Sequence, residues 1–352
     1  MPDQGAAPFA VSPAAGAKER RLDLDRARGI TILLVVFGHV VAQTVPQGVE
    51  WYEPLRYAVY RFHMPFFLYL SGTVVVLSGL LAVPPGGWPA LLRKRAIRLL
   101  VPFFGIGLLI LAAKLVALQL VFVDNPPEGL AGGLRDLFWT TDSSPASSVW
   151  YLLVLFLSTV AAVVLRRLGL GATGMVLLGL ALQFAEVPPI AYLDRFASHF
   201  VYFAAGLWVA ERQDRALPLF EAHPLAWWLI FGAALALAEA DWLTDAGWLG
   251  ERWSMVLCGL LCIPALHGAM RLPPVCRWQW PLVLGSYAMA IYLFNTLAIG
   301  GTKAVLIAAG IGWTQDWFPL HAAAAMAAGV ALPVLLKILV LRRNRTLDRL
   351  TD

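Results

Sequence analysis

Arg28 and His39 are the first pair whose types and spacing suggest chemistry. They lie in the stretch LDLDRARGITILLVVFGHVVAQTV, residues 22–45, with ten residues between them. On an α-helix, eleven steps of about 100° return His39 to within about 20° of the Arg28 face, about 16 Å along the axis. If Arg28 marks one edge of a hydrocarbon layer about 30 Å thick, the imidazole lies near its middle. An ionisable group at that depth is costly and points to function by default. An unperturbed imidazole titrates near ~6.5, which suits it to take a proton from a hydroxyl, and a guanidinium suits an anionic group. Plainer accounts stand beside these. Arg28 can simply orient a first helix, with Asp25 one turn earlier as its partner, and His39 can be bonded to a neighbouring helix.

Three further stretches carry reactive types. FHMPFFLYLSG, residues 62–72, holds His63, a helix-kinking Pro65, and the small pair Ser71 and Gly72. It reads either as a polar site opened by the kink or as tight helix packing. RKRAIRLLVPF, residues 93–103, sets Arg95 and Arg98 three apart on one helical face, with Arg93 and Lys94 beside them. That face grips phosphate oxygens, although membrane orientation or anionic lipid explains the same charges. Trp150 and Tyr151 open another apolar run and fit an interfacial aromatic belt. Cys258, Cys262 and Cys276 have no Cys or His pair at metal-ligand spacing, so thiols are expected and no metal.

These residues need an apolar frame. The chain has 352 residues, 59% hydrophobic and 14% charged, well below the roughly 25% charged of a soluble domain. Its mean hydropathy is +0.70. Apolar runs fall near 28–45, 57–82, 98–123, 149–165, 170–187, 196–210, 224–240, 253–270, 284–310 and 318–340. Most are long enough to cross a bilayer. The ninth is long enough to break, with Gly300-Gly301 as the expected place. The expected class is all-α: a polytopic integral membrane protein with about ten transmembrane helices around a central cavity.

Charge sets the orientation. With the N-terminus inside, 19 Lys and Arg fall on cytoplasmic segments and 5 on the other side, where carboxylates such as Asp136, Glu186, Asp194 and Glu251 gather. This implies a cell (inner) membrane protein with both termini cytoplasmic. The net charge of +5 follows from topology, not from a basic stripe, so no nucleic-acid partner is expected. Residues 1–21 read as a disordered cytoplasmic tail without a signal-peptide core, 22–341 as the transmembrane domain, and 342–352 as a second cytoplasmic tail. The segment 124–148 is either a lid or a plain connector, with a short interfacial helix near Leu134–Trp139.

Taken as a set, the Asp-x-x-Arg-Gly opening, the Arg28/His39 spacing, FHMPFF with Ser71-Gly72, Arg-x-x-Arg before Leu-Leu-Val-Pro, and VWYLLVLF resemble the membrane acyltransferase 3 family. GSYAMAIYLFN (285–295) adds to the match, and the branch resembled is that of sugar and polysaccharide O-acetyltransferases. The resemblance implies transfer of an acyl group, usually acetyl from acetyl-CoA, to a glycan or lipid-linked sugar acceptor. It implies that Arg28 and His39 are the essential pair, with His39 as general base. It also implies that Arg95, Arg98 and Arg93, with Ser71, hold the acyl-CoA donor. His63, Trp150, Tyr151, Tyr287 and Asn295 are then expected along the substrate cavity, with His63 or Ser71 serving the oxyanion. Many members carry a histidine where this chain has Asn295, which hydrogen-bonds but does not move protons near neutral pH. The rival reading is a transporter or flippase for a lipid-linked glycan, which needs the cavity but no donor site.

Overall fold

A computed structural model describes residues 20–41, 44–119 and 125–351. Of the tail expected over 1–21, residues 1–19 lie outside the described residues. The first ten helices are α1 (Leu22–Val40), α2 (Tyr52–Leu77), α3 (Trp88–Ala117), α4 (Gly129–Phe138), α5 (Trp150–Arg167), α6 (Ala172–Phe184), α7 (Leu193–Glu211), α8 (Gln213–Ala222), α9 (Pro224–Thr244) and α10 (Gly250–Ala269). They are followed by α11 (Pro273–Cys276), α12 (Trp280–Ser286), α13 (Ala288–Ala308), α14 (Phe318–Leu339) and α15 (Arg345–Leu350). Local chemistry marks the ends. Prolines open α3, α9 and α14, where the missing N–H costs nothing. Asn344 caps α15 by accepting from the N–H groups of Thr346 and Leu347.

Helices lie over each of the ten apolar runs, but among the described residues six of them, α3, α5, α9, α10, α13 and α14, are long and apolar enough to cross a membrane. The others differ for a reason that bears on function. α6 is only 13 residues long. α1, α2 and α7 carry the polar inventory: Arg26, Arg28 and His39; Arg61, His63 and Ser71; Asp194, Arg195 and His199. The least apolar long helices are therefore the ones that build the interior.

α2 and α7 cross closely. A Cβ on Gly72 would collide with the Phe203 carbonyl, and one on Gly206 with the Tyr69 carbonyl, so the backbones touch there. α1 is seated in the same way against α12, where Gly29 meets the Pro281 carbonyl and Gly285 meets the Asp25 carbonyl. Arg26 reinforces this seat by donating to the carbonyls of Trp278 and Cys276.

One expectation needs correction. The ninth run breaks at Tyr287, between α12 and α13, while α13 continues through Gly300-Gly301. The close seating of α12 on α1 fixes the short helix separately, and the two glycines meet nothing within 4 Å that would require a break. The tail expected over 342–352 is packed against the bundle through residue 351. The buried Lys337 donates to the Asp348 carbonyl at 2.7 Å and to Thr351 Oγ1 at 2.9 Å, and lies 2.8 Å from the Asp348 carboxylate. This folds α15 back against α3.

Candidate active site: a polar seam through α1, α2, α5 and α7

The seam begins near the start of α1. Asp25 is shared between Arg20, at 2.6 Å, and Arg28, at 3.5 Å. The Arg28 guanidinium lies within electrostatic range of Tyr151. Tyr151 is buried, and its hydroxyl meets Ser71 Oγ at 2.6 Å. Phe67 and Tyr292 present ring edges to it, with centroids 5.7 and 5.4 Å away.

Tyr151 is therefore an interior group and not part of an aromatic belt. The cause is the preceding segment. Ser144, Ala146, Ser148 and Val149 are all buried, so the chain dips into the bundle before α5 starts. Tyr192 donates to Ser144 Oγ at 2.9 Å, Ser148 Oγ meets Thr296 Oγ1 at 3.3 Å, and Tyr292 donates to the Ser148 carbonyl. Irregular backbone held within protein is the form a bilayer tolerates. Within the segment expected to be a lid or a connector, the stretch 144–149 is a plug, while α4 is only partly buried.

The second part of the seam is built of imidazoles. His39 is half-buried near the end of α1, and Tyr60 donates to the carbonyl of the preceding Gly38 at 3.2 Å. The Tyr60 and His63 rings are in edge contact at 5.0 Å. His63 and His199 are both buried, and His63 lies within electrostatic range of both His39 and His199. Trp150 packs 4.8 Å from the His199 ring.

His63 and His199 solve their backbone bonding alike. Nδ1 of His63 lies 2.8 Å from the Val59 carbonyl, and Nδ1 of His199 lies 3.0 Å from the Arg195 carbonyl. A carbonyl only accepts, so the proton of each neutral ring belongs on Nδ1 and Nε2 presents a lone pair. In this tautomer neutral His63 accepts hydrogen bonds at Nε2, which fits a substrate hydroxyl and not an oxyanion.

The remaining expected residues lie elsewhere. Asn295 is fully buried, with Nδ2 donating to the Ile291 and Tyr292 carbonyls at 2.8 Å. Its Oδ1 has no hydrogen-bond partner among the described residues. Tyr287 sits at the α12–α13 break under the Arg342 guanidinium, 5.2 Å from its ring centre. Arg95 is half-buried, Arg93 and Arg98 are exposed, and Arg95 and Arg98 lie within electrostatic range of each other on α3. Cys258 and Cys262 are buried free thiols in α10. Among the described residues no group of three His, Cys, Asp or Glu is placed to hold a metal.

Sequence reasoning missed His199 and a buried chain at the Arg28 end. There the Tyr69 hydroxyl meets His267 Nδ1 at 2.5 Å, and His267 Nε2 lies 3.2 Å from Asp23, which also pairs with Arg21 at 2.7 Å and Arg271 at 2.9 Å. The available signal was the rule applied to His39, that an ionisable group inside an apolar run needs explaining. At the opposite end of the bundle a cavity of about 470 Å³ opens between α6, α7 and α10, with His199 in its wall.

Apolar helices around a seam of arginine, tyrosine and histidine define a helical membrane protein with a polar interior. The chain belongs to the acyltransferase 3 family, whose model, described as an acyltransferase domain, matches residues 21–338. It is similar to nodulation protein NolL of Sinorhizobium fredii, with 27% identity over 242 residues, covering 66% of this chain and 61% of that protein. A second NolL, from Mesorhizobium japonicum, is 37% identical over 90 residues, 25% of this chain and 23% of that protein. The chain thus spans about three fifths, or less, of the relatives it matches. No solved structure matches it.

Proposed function

We propose that this protein is an integral membrane O-acyltransferase, with α1, α2, α6 and α7 completing about ten crossings and both termini cytoplasmic. It takes an acyl group, acetyl in the family's usual case, from acyl-CoA on the arginine-rich face and transfers it to a hydroxyl of a glycan or lipid-linked sugar at the outer face. The observation that carries this reading is the gathering of two polar groups in the interior, Arg28 with the Ser71–Tyr151 pair and His39 with His63 and His199, with Trp150 packed between the Tyr151 and His199 rings.

Each part has a role. Arg95 and Arg98, with Arg93, offer phosphate-binding guanidinium groups at the inner face, where CoA is found. The Ser71 and Tyr151 hydroxyls suit the amide-bearing arm that carries the thioester inward. His39 takes the proton of the acceptor hydroxyl as that oxygen attacks the thioester carbonyl carbon. The C–S bond then breaks, and the thiolate leaves with the proton held on the imidazole. His63 Nε2 accepts a hydrogen bond and helps to aim the acceptor. No CoA crosses the bilayer in this scheme, because the thioester and the alcohol approach from opposite sides.

The test is transfer in proteoliposomes with labelled acetyl-CoA and a glycan panel. His39→Ala is expected to lose at least ~10²-fold in rate while still binding donor, the usual scale for a general base. Arg28→Ala is expected to fall comparably. Full turnover in both variants would refute the assignment, and glycan movement without acyl transfer would favour a flippase.

A further inference from the structure

The cavity at the outer end of the bundle has features that packing does not explain. It measures about 470 Å³, within the roughly 300–1,000 Å³ range of small-molecule sites. The end of α6, the start of α7 and the start of α10 enclose it. Its wall is rich in hydrogen-bond acceptors, among them Gln183, Glu186, Asp194 and Glu251, with Arg195 and Arg252 between them.

Both arginines are engaged. Arg195 lies 3.6 Å from the Asp194 carboxylate, and Arg252 donates to the Phe184 carbonyl at 2.6 Å. Two acceptors are not. Gln183 is 5% exposed, yet its Oε1 is buried without a hydrogen-bond partner among the described residues, and the same holds for Oδ1 of Asp194. A buried polar atom left unpaired is destabilising, and a retained one calls for an explanation. Val187, Pro188 and Met255 supply an apolar surface in the same wall. Unpaired acceptors beside apolar surface match a molecule with hydroxyl donors and C–H faces. Glu251 is matched from behind the wall by Arg61 at 3.4 Å, and with Arg195 and Arg252 both engaged the wall offers an anion no guanidinium that lacks a partner.

From this geometry we infer that the cavity is the acceptor subsite and takes an uncharged sugar unit. Its hydroxyls donate to Gln183 Oε1 and Asp194 Oδ1, and His199 forms the wall through which the reacting hydroxyl reaches His63 and His39. This rests on the acyltransferase reading for the reaction but not for the binding. Neither Gln183 nor His199 stood out in the sequence.

The test uses the full chain in lipid nanodiscs. Saturation-transfer NMR is read with methyl glucoside, methyl galactoside, cellobiose and, as an anionic contrast, glucuronate, alongside acyl transfer from acetyl-CoA. The neutral sugars are expected to bind and glucuronate to bind at least tenfold more weakly. Gln183→Leu removes an unpaired buried carbonyl, so its melting temperature should hold or rise while sugar binding and acceptor KM worsen about tenfold. Asp194→Asn is expected to weaken sugar binding severalfold, with the KM for acetyl-CoA unchanged in both variants. Undiminished sugar binding in both variants, or no neutral sugar bound by the native chain, overturns the subsite. Sugar binding that depends on Gln183 in a protein that transfers no acyl group keeps the subsite and sinks the acyltransferase reading instead.

Discussion

Ser71 Oγ lies 2.6 Å from the Tyr151 hydroxyl, joining α2 to a helix that begins 79 residues after Ser71. The contact exists because the plug before α5 delivers Tyr151 into the bundle beside Arg28. Tyr151→Phe removes one neutral hydrogen bond in a site that keeps its shape, a cost of about 1 kcal/mol to folding. The KM for acyl-CoA is expected to rise severalfold with only a small drop in melting temperature. Steady-state kinetics with the donor varied, alongside a thermal melt, check both halves. An unchanged donor KM removes Ser71 and Tyr151 from the donor path.

The Gly72–Gly206 crossing governs whether α2 and α7 hold His63 and His199 near each other. A methyl group at either position meets a backbone carbonyl that has nowhere to go. Gly206→Ala is expected to cost about 1–3 kcal/mol, the usual scale of overpacking. Activity should fall with it as the helices part. Gly105→Ala on α3 has nothing within 4 Å of the added carbon and is expected to leave the melting temperature unchanged. Equal melting temperatures for the two variants would show that the crossing is looser than described.

Much of this was legible in the sequence because it depends on local pattern. Apolar runs and Arg-to-His spacing follow from helical periodicity, and they placed Arg28 and His39 on one helix with Asp25 in reach. What escaped depends on contacts distant in sequence. Tyr151 reads as an aromatic belt residue until the plug places its hydroxyl on Ser71. The break at Tyr287 follows from α12 settling on α1 through Gly285 and Gly29, and the ninth run holds that first glycine without showing what it packs against. His199 lies in a run that reads as membrane filler, and only the folded chain sets it beside Trp150 within reach of His63.

Arg95 and Arg98 differ in exposure, which separates their expected effects. Arg98 is exposed and Arg95 half-buried, so salt screens the first more than the second. Arg95→Ala is expected to raise the KM for acetyl-CoA about tenfold at any ionic strength. Arg98→Ala is expected to raise it severalfold at low salt and little at high salt. Varying the donor at two salt concentrations checks this. A shared salt response would show that both arginines serve only as surface charge.

Asp23 holds the Arg28 end of the seam in place. His267 and Tyr69 are fully buried, and the order of bonding fixes the proton positions: Tyr69 donates to Nδ1, and Nε2–H donates to Asp23. Asp23 also pairs with Arg21 and with Arg271, which has Glu221 as a second partner, and the two arginine side chains are 26% and 31% exposed. Removing one partner of a fully buried pair costs about 3–5 kcal/mol. Water reaches both arginines here, so Asp23→Ala is expected to cost less, about 2–3 kcal/mol. Tyr69→Phe ends a neutral chain and is expected to cost about 1 kcal/mol. Because Asp23 precedes Arg28 on the same helix, its loss should also reduce transfer, whereas Tyr69→Phe should leave the rate near native. Melting temperatures and initial rates measured together decide it. A Tyr69→Phe variant as inactive as His39→Ala would move the reaction's proton path onto Asp23 and His267.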